Sequence, residues 1–389
     1  MEKKSIARVH YLDWLRVLTI LTIFIFHTGR FFDNEDWHVK NPTTYFGMDV
    51  WTYFLAGWIM PLVFVISGAS IFYALGKGGA GKFVKDRTLR LLVPLVVGAC
   101  THIALQTYVE YRFNGWFAGS FWAFLPHYFD GFREFGGNFA WTGLHLWYLL
   151  ALFIFSLIFL PLFLWLKGGS GSRLLGRLGD FFAKPGAVYL LALPGTLLVP
   201  YQNPDSLLTS RGWGGWGIPA YIPYFLAGFL FVSHEGLQTT IRRKRWFSLG
   251  AGVVMFIGLL AVAITQGDLV YRTLAYRLFF AMFSLYSWAF VLAILGFGMQ
   301  HLTFSTPFLR YGNEAVLPFY ILHQTVIVCV GFFVVRQAIP DLLKFVIIAV
   351  SSFAIIAVLY ELLIRRINVL RFLFGMRLRS KASSARPES

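Results

Sequence analysis

Charge is scarce along this chain. Asp, Glu, Lys and Arg make up 13% of its 389 residues against 57% hydrophobic, whereas soluble globular proteins carry about a quarter charged residues. So little charge cannot cover a water-facing surface, which excludes a soluble globular class and calls for lipid. Acidic residues are scarcer still, 18 against 34 basic, for a net charge of +16. That excess invites a nucleic-acid reading, but the basic residues sit in short clusters between apolar runs and form no stripe, so no nucleic-acid partner is expected. Cysteine is nearly missing: Cys100 and Cys329 each lie inside an apolar run, which excludes a disulfide framework or a cysteine metal site. A small-residue cleavage site is also lacking after the first apolar segment, so that segment reads as a retained helix.

What is present is a succession of apolar runs. With roughly 20 residues needed to cross a ~30 Å hydrocarbon core, ten spans are expected, at 12–32, 48–75, 91–109, 144–166, 187–201, 218–233, 247–266, 273–299, 315–336 and 342–364. The fold class is therefore all-α, a polytopic membrane protein with about ten helices. The basic clusters give an orientation. Lys3, Lys4 and Arg8, then Lys77 to Arg90, then Lys167 to Lys184, then Arg242 to Arg245, Arg310 and the C-terminal arginines fall on one side, which is assigned as cytoplasmic. Ten spans put both termini there. Asp33, Glu35, Asp36, Glu110, Asp130, Glu134 and Asp205 fall on the opposite side. A single transmembrane domain over 1–378 and a polar, disordered cytoplasmic tail over 379–389 are the expected organisation, in a bacterial inner membrane.

The first helix carries the strongest site signal. Asp13, Arg16 and His27 interrupt the apolar run YLDWLRVLTILTIFIFH, residues 11–27. Arg16 and His27 are 11 residues apart, three helical turns plus about 20°, so they share a face ~16 Å apart along the axis. Asp13, three residues before Arg16, joins that face. Asp13 and Arg16 read equally as interfacial residues at a helix start, but an ionisable group at the depth of His27 is expensive and marks a site or a pathway. A neutral imidazole there can accept a proton, which suits a general base.

At these residues the chain resembles the large membrane acyltransferase family 3, which includes the succinyltransferase of osmoregulated periplasmic glucans and many sugar O-acetyltransferases. The resemblance rests on Asp13, Arg16 and His27, on PLVFVISG at 61–68, on Arg87 with Arg90, on HLWYL at 145–149 and on FYILHQ at 319–324, in order along nearly the whole chain. It implies a roughly ten-helix O-acyltransferase that takes an acetyl, succinyl or similar group from cytoplasmic acyl-CoA to a hydroxyl of a carbohydrate or glycan at the outer face. Acyl-CoA would be a co-substrate, with no bound cofactor. His27 would be catalytic, either deprotonating the acceptor hydroxyl or carrying the acyl group transiently, and Arg16, Arg87 and Arg90, with Asp13 in support, would bind the donor's phosphates, where guanidinium forks make charge-assisted bonds. Arg87 and Arg90 also read as simple positive-inside charge. In the family, Glu314 falls where a small hydroxyl residue is common.

A catalytic imidazole needs an orienting partner, and Asp36, of the acidic group just beyond the helix, is the expected one. The same group reads equally as a solvated loop. His323, His145 and Trp147 are candidates to shape the acceptor site, though His323 reads equally as a helix-packing residue. No two of His27, His102, His145 and His323 have helical ligand spacing, so no metal is expected. The aromatic segment 111–141 reads as an interfacial belt or as a platform for sugar rings. A transporter or flippase for a glycan or lipid-linked precursor is the rival function, with the polar stripe lining its path.

Overall fold

The structure, a computed structural model, describes residues 9–77, 79–267 and 269–379. Lys3, Lys4, Arg8 and residues 380–389 of the tail lie outside the described residues. What is described is all helical apart from loops and one isolated bridge, Phe132 to Phe139. Among the described residues six helices are long and apolar enough to cross a bilayer: His10–Gly29, Phe46–Ala74, Glu235–Gln266, Leu274–His301, Pro307–Val334 and Asp341–Ile364. Three further pairs are bent: Ala80–Cys100 with His102–Phe113 by 41°, Leu144–Ile158 with Leu160–Leu166 by 52°, and Gly169–Ala183 with Ala187–Tyr201 by 113°. Counting each pair as one span gives nine, and Ile218–Ser233 is a shorter apolar helix.

The bends have local causes. Pro161 opens Leu160–Leu166, where a missing N–H is tolerated. Pro185 and Gly186, the latter at φ 82°, turn the chain between the two arms of the sharpest pair. Pro318, in contrast, sits inside the continuous helix Pro307–Val334.

The described residues pack as two compact units, each gathering several stretches: those within 1–22, 50–83 and 154–309 in the first, and those within 23–49, 84–153 and 310–389 in the second. In the first unit, Ile59–Ala74 packs on Tyr221–Ser233 through two glycines. A Cβ on Gly68 would lie 1.9 Å from the Phe225 carbonyl oxygen, and one on Gly228 would lie 2.0 Å from that of Val65. Small residues that bring two backbones together in this way are how helices associate in lipid, where apolar burial between helices supplies little driving force. The final glycine of PLVFVISG is thus a packing requirement. Stacked aromatics fill the rest, Tyr224 on Trp288 at 4.4 Å and Trp216 on Phe283 at 4.7 Å.

In the second unit the apolar core gathers Phe24, Phe31, Phe32, Ile327, Val328 and Ile348. Gly331 makes room for Phe31, whose ring a Cβ would meet at 2.0 Å. Glu314 pairs with the buried Arg371 at 2.9 Å and with Arg365 at 3.9 Å. Glu314 thus balances the buried charge of Arg371, while the closer partner of Arg365 is Glu361 at 2.8 Å.

Candidate functional site

The polar end of the first helix lies in the first unit. Arg16 donates to Asp13 at 3.2 Å and to the Ser70 hydroxyl at 2.8 Å, both carboxylate and guanidinium being half-buried. The Asp13 to Arg16 pair is therefore formed, and Ser70 joins it from Ile59–Ala74. Arg87 ends the helix Ala80–Arg87, and Arg90 lies in the π-helical turn Thr88–Leu92 that follows. Arg87 is half-buried and Arg90 exposed, and both belong to the second unit.

His27 is also in the second unit and is half-buried. Its ring stacks on Trp37, 5.9 Å between centroids and 11° between planes, and lies 5.2 Å from the ring of His323. Its Nδ1 has no hydrogen-bond partner among the described residues. From His323 the row of imidazoles continues to His145 at 4.9 Å and on to His102 at 6.4 Å. The four rings come from four separate segments of the chain. Trp147 is buried two residues after His145, at the start of Trp147–Ile158. Among the described residues no group of three or more His, Cys, Asp or Glu is arranged to hold a metal ion.

The loop that supplies Trp37 is tied down by buried charge. Asp33 has no exposed surface and accepts from Arg30 and from Lys40, each at 2.7 Å. Burial pulls the Lys40 ammonium below the usual lysine range, against the opposing pull of Asp33. Asp36 is exposed, and its backbone carbonyl, not its carboxylate, accepts from Arg30 at 2.9 Å. The structure thus does not bring the Asp36 carboxylate to His27. The acidic residue that turns inward is Asp33.

A second polar centre, not anticipated from the sequence, adjoins Trp37. His38 Nδ1 faces Glu110 at 2.8 Å, and Arg133 donates to the other Glu110 oxygen at 2.6 Å. The side-chain amides of Gln324 and Gln106 face His38 Nε2 at 2.9 and 3.1 Å. Glu110, expected on the outer side, is buried in His102–Phe113. Gln106 and Glu110 sit four residues apart in an apolar helix, a pairing that could have flagged them. Nothing local to His38 could have.

In the segment 111–141, Phe124 and Tyr128 are buried while Trp116, Trp122, Phe129, Phe132 and Phe135 are exposed.

A family described as an acyltransferase domain matches residues 9–361. The chain is 24% identical over 392 residues to the Glucans biosynthesis protein C of Salmonella agona strain SL483, covering 96% of each chain. The protein of the same name from Salmonella heidelberg strain SL476 is 23% identical over the same share. No solved structure matches.

Proposed function

The chain belongs to the membrane acyltransferase family 3, and from that premise we propose that it moves an acyl group from cytoplasmic acyl-CoA to a hydroxyl of a glycan at the outer face of a bacterial inner membrane. It is an acyltransferase. The name of its relatives, glucans biosynthesis protein C, supports a glycan acceptor. The basic clusters support a cytoplasmic donor side.

One observation carries the chemistry: a half-buried imidazole, His27, held against Trp37 with an uncommitted ring nitrogen. In the proposed step His27 takes the proton of the acceptor hydroxyl as its oxygen attacks the thioester carbonyl. Collapse of the tetrahedral intermediate breaks the C–S bond, and the imidazolium returns the proton to the leaving thiolate. The products are the ester and free coenzyme A, with no net proton released. Arg16, set by Asp13 and Ser70, and Arg87 with Arg90 are assigned to the donor's phosphates.

The test is His27→Ala in membranes given labelled acyl-CoA. Acylation should disappear while expression and insertion stay intact. Binding of coenzyme A thioesters that weakens on substitution of Arg87 or Arg90 supports an enzyme over a transporter, and a complete lack of such binding supports the transporter.

A further inference from the structure

Three histidines beside His27 each commit one ring nitrogen to the protein and leave a bare lone pair on the other. A carbonyl oxygen only accepts, so His323 donates from Nδ1 to Tyr320 at 2.5 Å, and His145 donates from Nε2 to Ile321 at 3.0 Å. His102 is fixed by a longer chain that ends on an ion pair. Glu110, paired with Arg133, accepts from His38 Nδ1; His38 Nε2 therefore accepts from the Gln106 amide; and the Gln106 oxygen accepts from the Thr325 hydroxyl at 3.0 Å. With that hydroxyl proton used, His102 Nδ1 must donate to Thr325 Oγ1, 3.0 Å away. The remaining nitrogens, His323 Nε2, His145 Nδ1 and His102 Nε2, are buried and have no partner among the described residues, and the same holds for His27 Nδ1 and Gln324 Oε1.

The three histidine nitrogens and Gln324 Oε1 are acceptors without a donor. An unpaired buried acceptor costs roughly 1–3 kcal/mol, so a contiguous row of them is not tolerated empty. The missing partner must bring hydrogen-bond donors and no surplus of acceptors, and the O–H groups of a carbohydrate are such donors. We propose that His323, His145 and His102 form a hydroxyl-binding row that aligns the acceptor on His27, its O–H groups donating into the bare lone pairs. The proposal rests on the acyl-transfer reading for what His27 then does, but the row itself is a binding site that stands or falls by direct titration. Resident water is the other source of O–H donors, and the experiment separates the two.

Asn places its amide nitrogen where His has Nδ1, and Gln where it has Nε2. His323→Asn and His145→Gln therefore keep the bonds to Tyr320 and Ile321 and delete only the free acceptors. Each variant, purified in lipid nanodiscs, is titrated with a short glucan oligosaccharide and with its per-O-methylated form, which has no O–H donor. Its acyl transfer from acetyl-CoA and succinyl-CoA is then followed. The proposal expects the oligosaccharide to bind wild type and the methylated form not to. Each variant should weaken acceptor binding, and raise the acceptor KM, about fivefold to tenfold, with kcat at saturation and the donor KM unchanged. His323→Gln and His145→Asn, which restore an acceptor but lose the structural bond, should keep the affinity better than their partners. Unchanged acceptor affinity in both deletion variants overturns the proposal in favour of resident water. A fall in kcat with unchanged KM and an altered solvent isotope effect overturns it in favour of a proton path. Oligosaccharide binding that depends on the row in a protein with no transferase activity would uphold the row and refute the acyl-transfer reading instead.

Discussion

Glu110 sits between a cation and an imidazole, and replacing it with Gln tests how firmly the loop behind His27 is held. Glu110→Gln keeps the shape of the side chain but removes the charge that accepts from Arg133 at 2.6 Å and from His38 at 2.8 Å. Removing one member of a fully buried ion pair costs about 3–5 kcal/mol, because the other charge is left without a partner. The Arg133 side chain is 28% exposed, so water recovers part of that, and about 2–3 kcal/mol is the expected loss. For a unit of this size that is on the order of 5–10 °C in the unfolding midpoint. Arg133→Met alone should cost a similar amount. The double variant Glu110→Gln with Arg133→Met removes both charges, and its loss should be clearly smaller than the sum of the two singles. Thermal unfolding of the detergent-solubilised protein, followed by loss of the monodisperse chromatographic peak, measures all four members of the cycle. Strict additivity would refute the argument, since it would mean that the two charges do not sense one another.

Other consequences follow from the same structure. Gly68→Ala places a methyl 1.9 Å from the Phe225 carbonyl oxygen, so the helices must part by more than about 1 Å at a cost of roughly 1–3 kcal/mol; a lowered unfolding midpoint with poor expression checks this, and wild-type behaviour would contradict it. Arg16→Lys keeps the charge but cannot bond Asp13 and Ser70 as a planar fork, so the KM for acyl-CoA should rise severalfold with the acceptor KM unmoved, in steady-state assays varying each substrate. Burial lowers the Lys40 pKa from its ordinary value of 10.5, so between the folded value and 10.5 the unfolded chain binds more protons than the native one, and stability rises with pH across that window. Lys40→Met should flatten this rise in an unfolding series from neutral pH upward, and an unchanged slope would contradict the assignment.

The membrane class and a first helix holding three polar residues were legible because both depend on local order in the sequence. An apolar run with Asp13, Arg16 and His27 at helical spacing needs no tertiary knowledge, and the helix His10–Gly29 carries all three. Span ends were less legible where helices bend. The expected span 91–109 belongs to a helix pair that starts at Ala80 and turns by 41° at Thr101, whose N–H bonds the Gly98 carbonyl. The partners of the loop behind His27 could not be read at all. His38 bonds residues 72, 68 and 286 positions away, and such contacts leave no periodic trace. In the acidic group Asp33, Glu35 and Asp36, the sequence shows three carboxylates within four residues, and only the folded loop decides that Asp33 turns inward to Arg30 and Lys40.

The central claim, that His27 is the group that activates the acceptor hydroxyl, is tested most directly by transfer of a radiolabelled acyl group from acyl-CoA to an added glucan oligosaccharide. The wild-type protein and His27→Ala are compared in matched nanodiscs of equal protein content and unfolding midpoint. The account predicts labelled ester with wild type and a loss of at least about a hundredfold with the variant, since a general base contributes on the order of 10²–10⁴ to rate. Labelled ester at the wild-type rate from His27→Ala would contradict it.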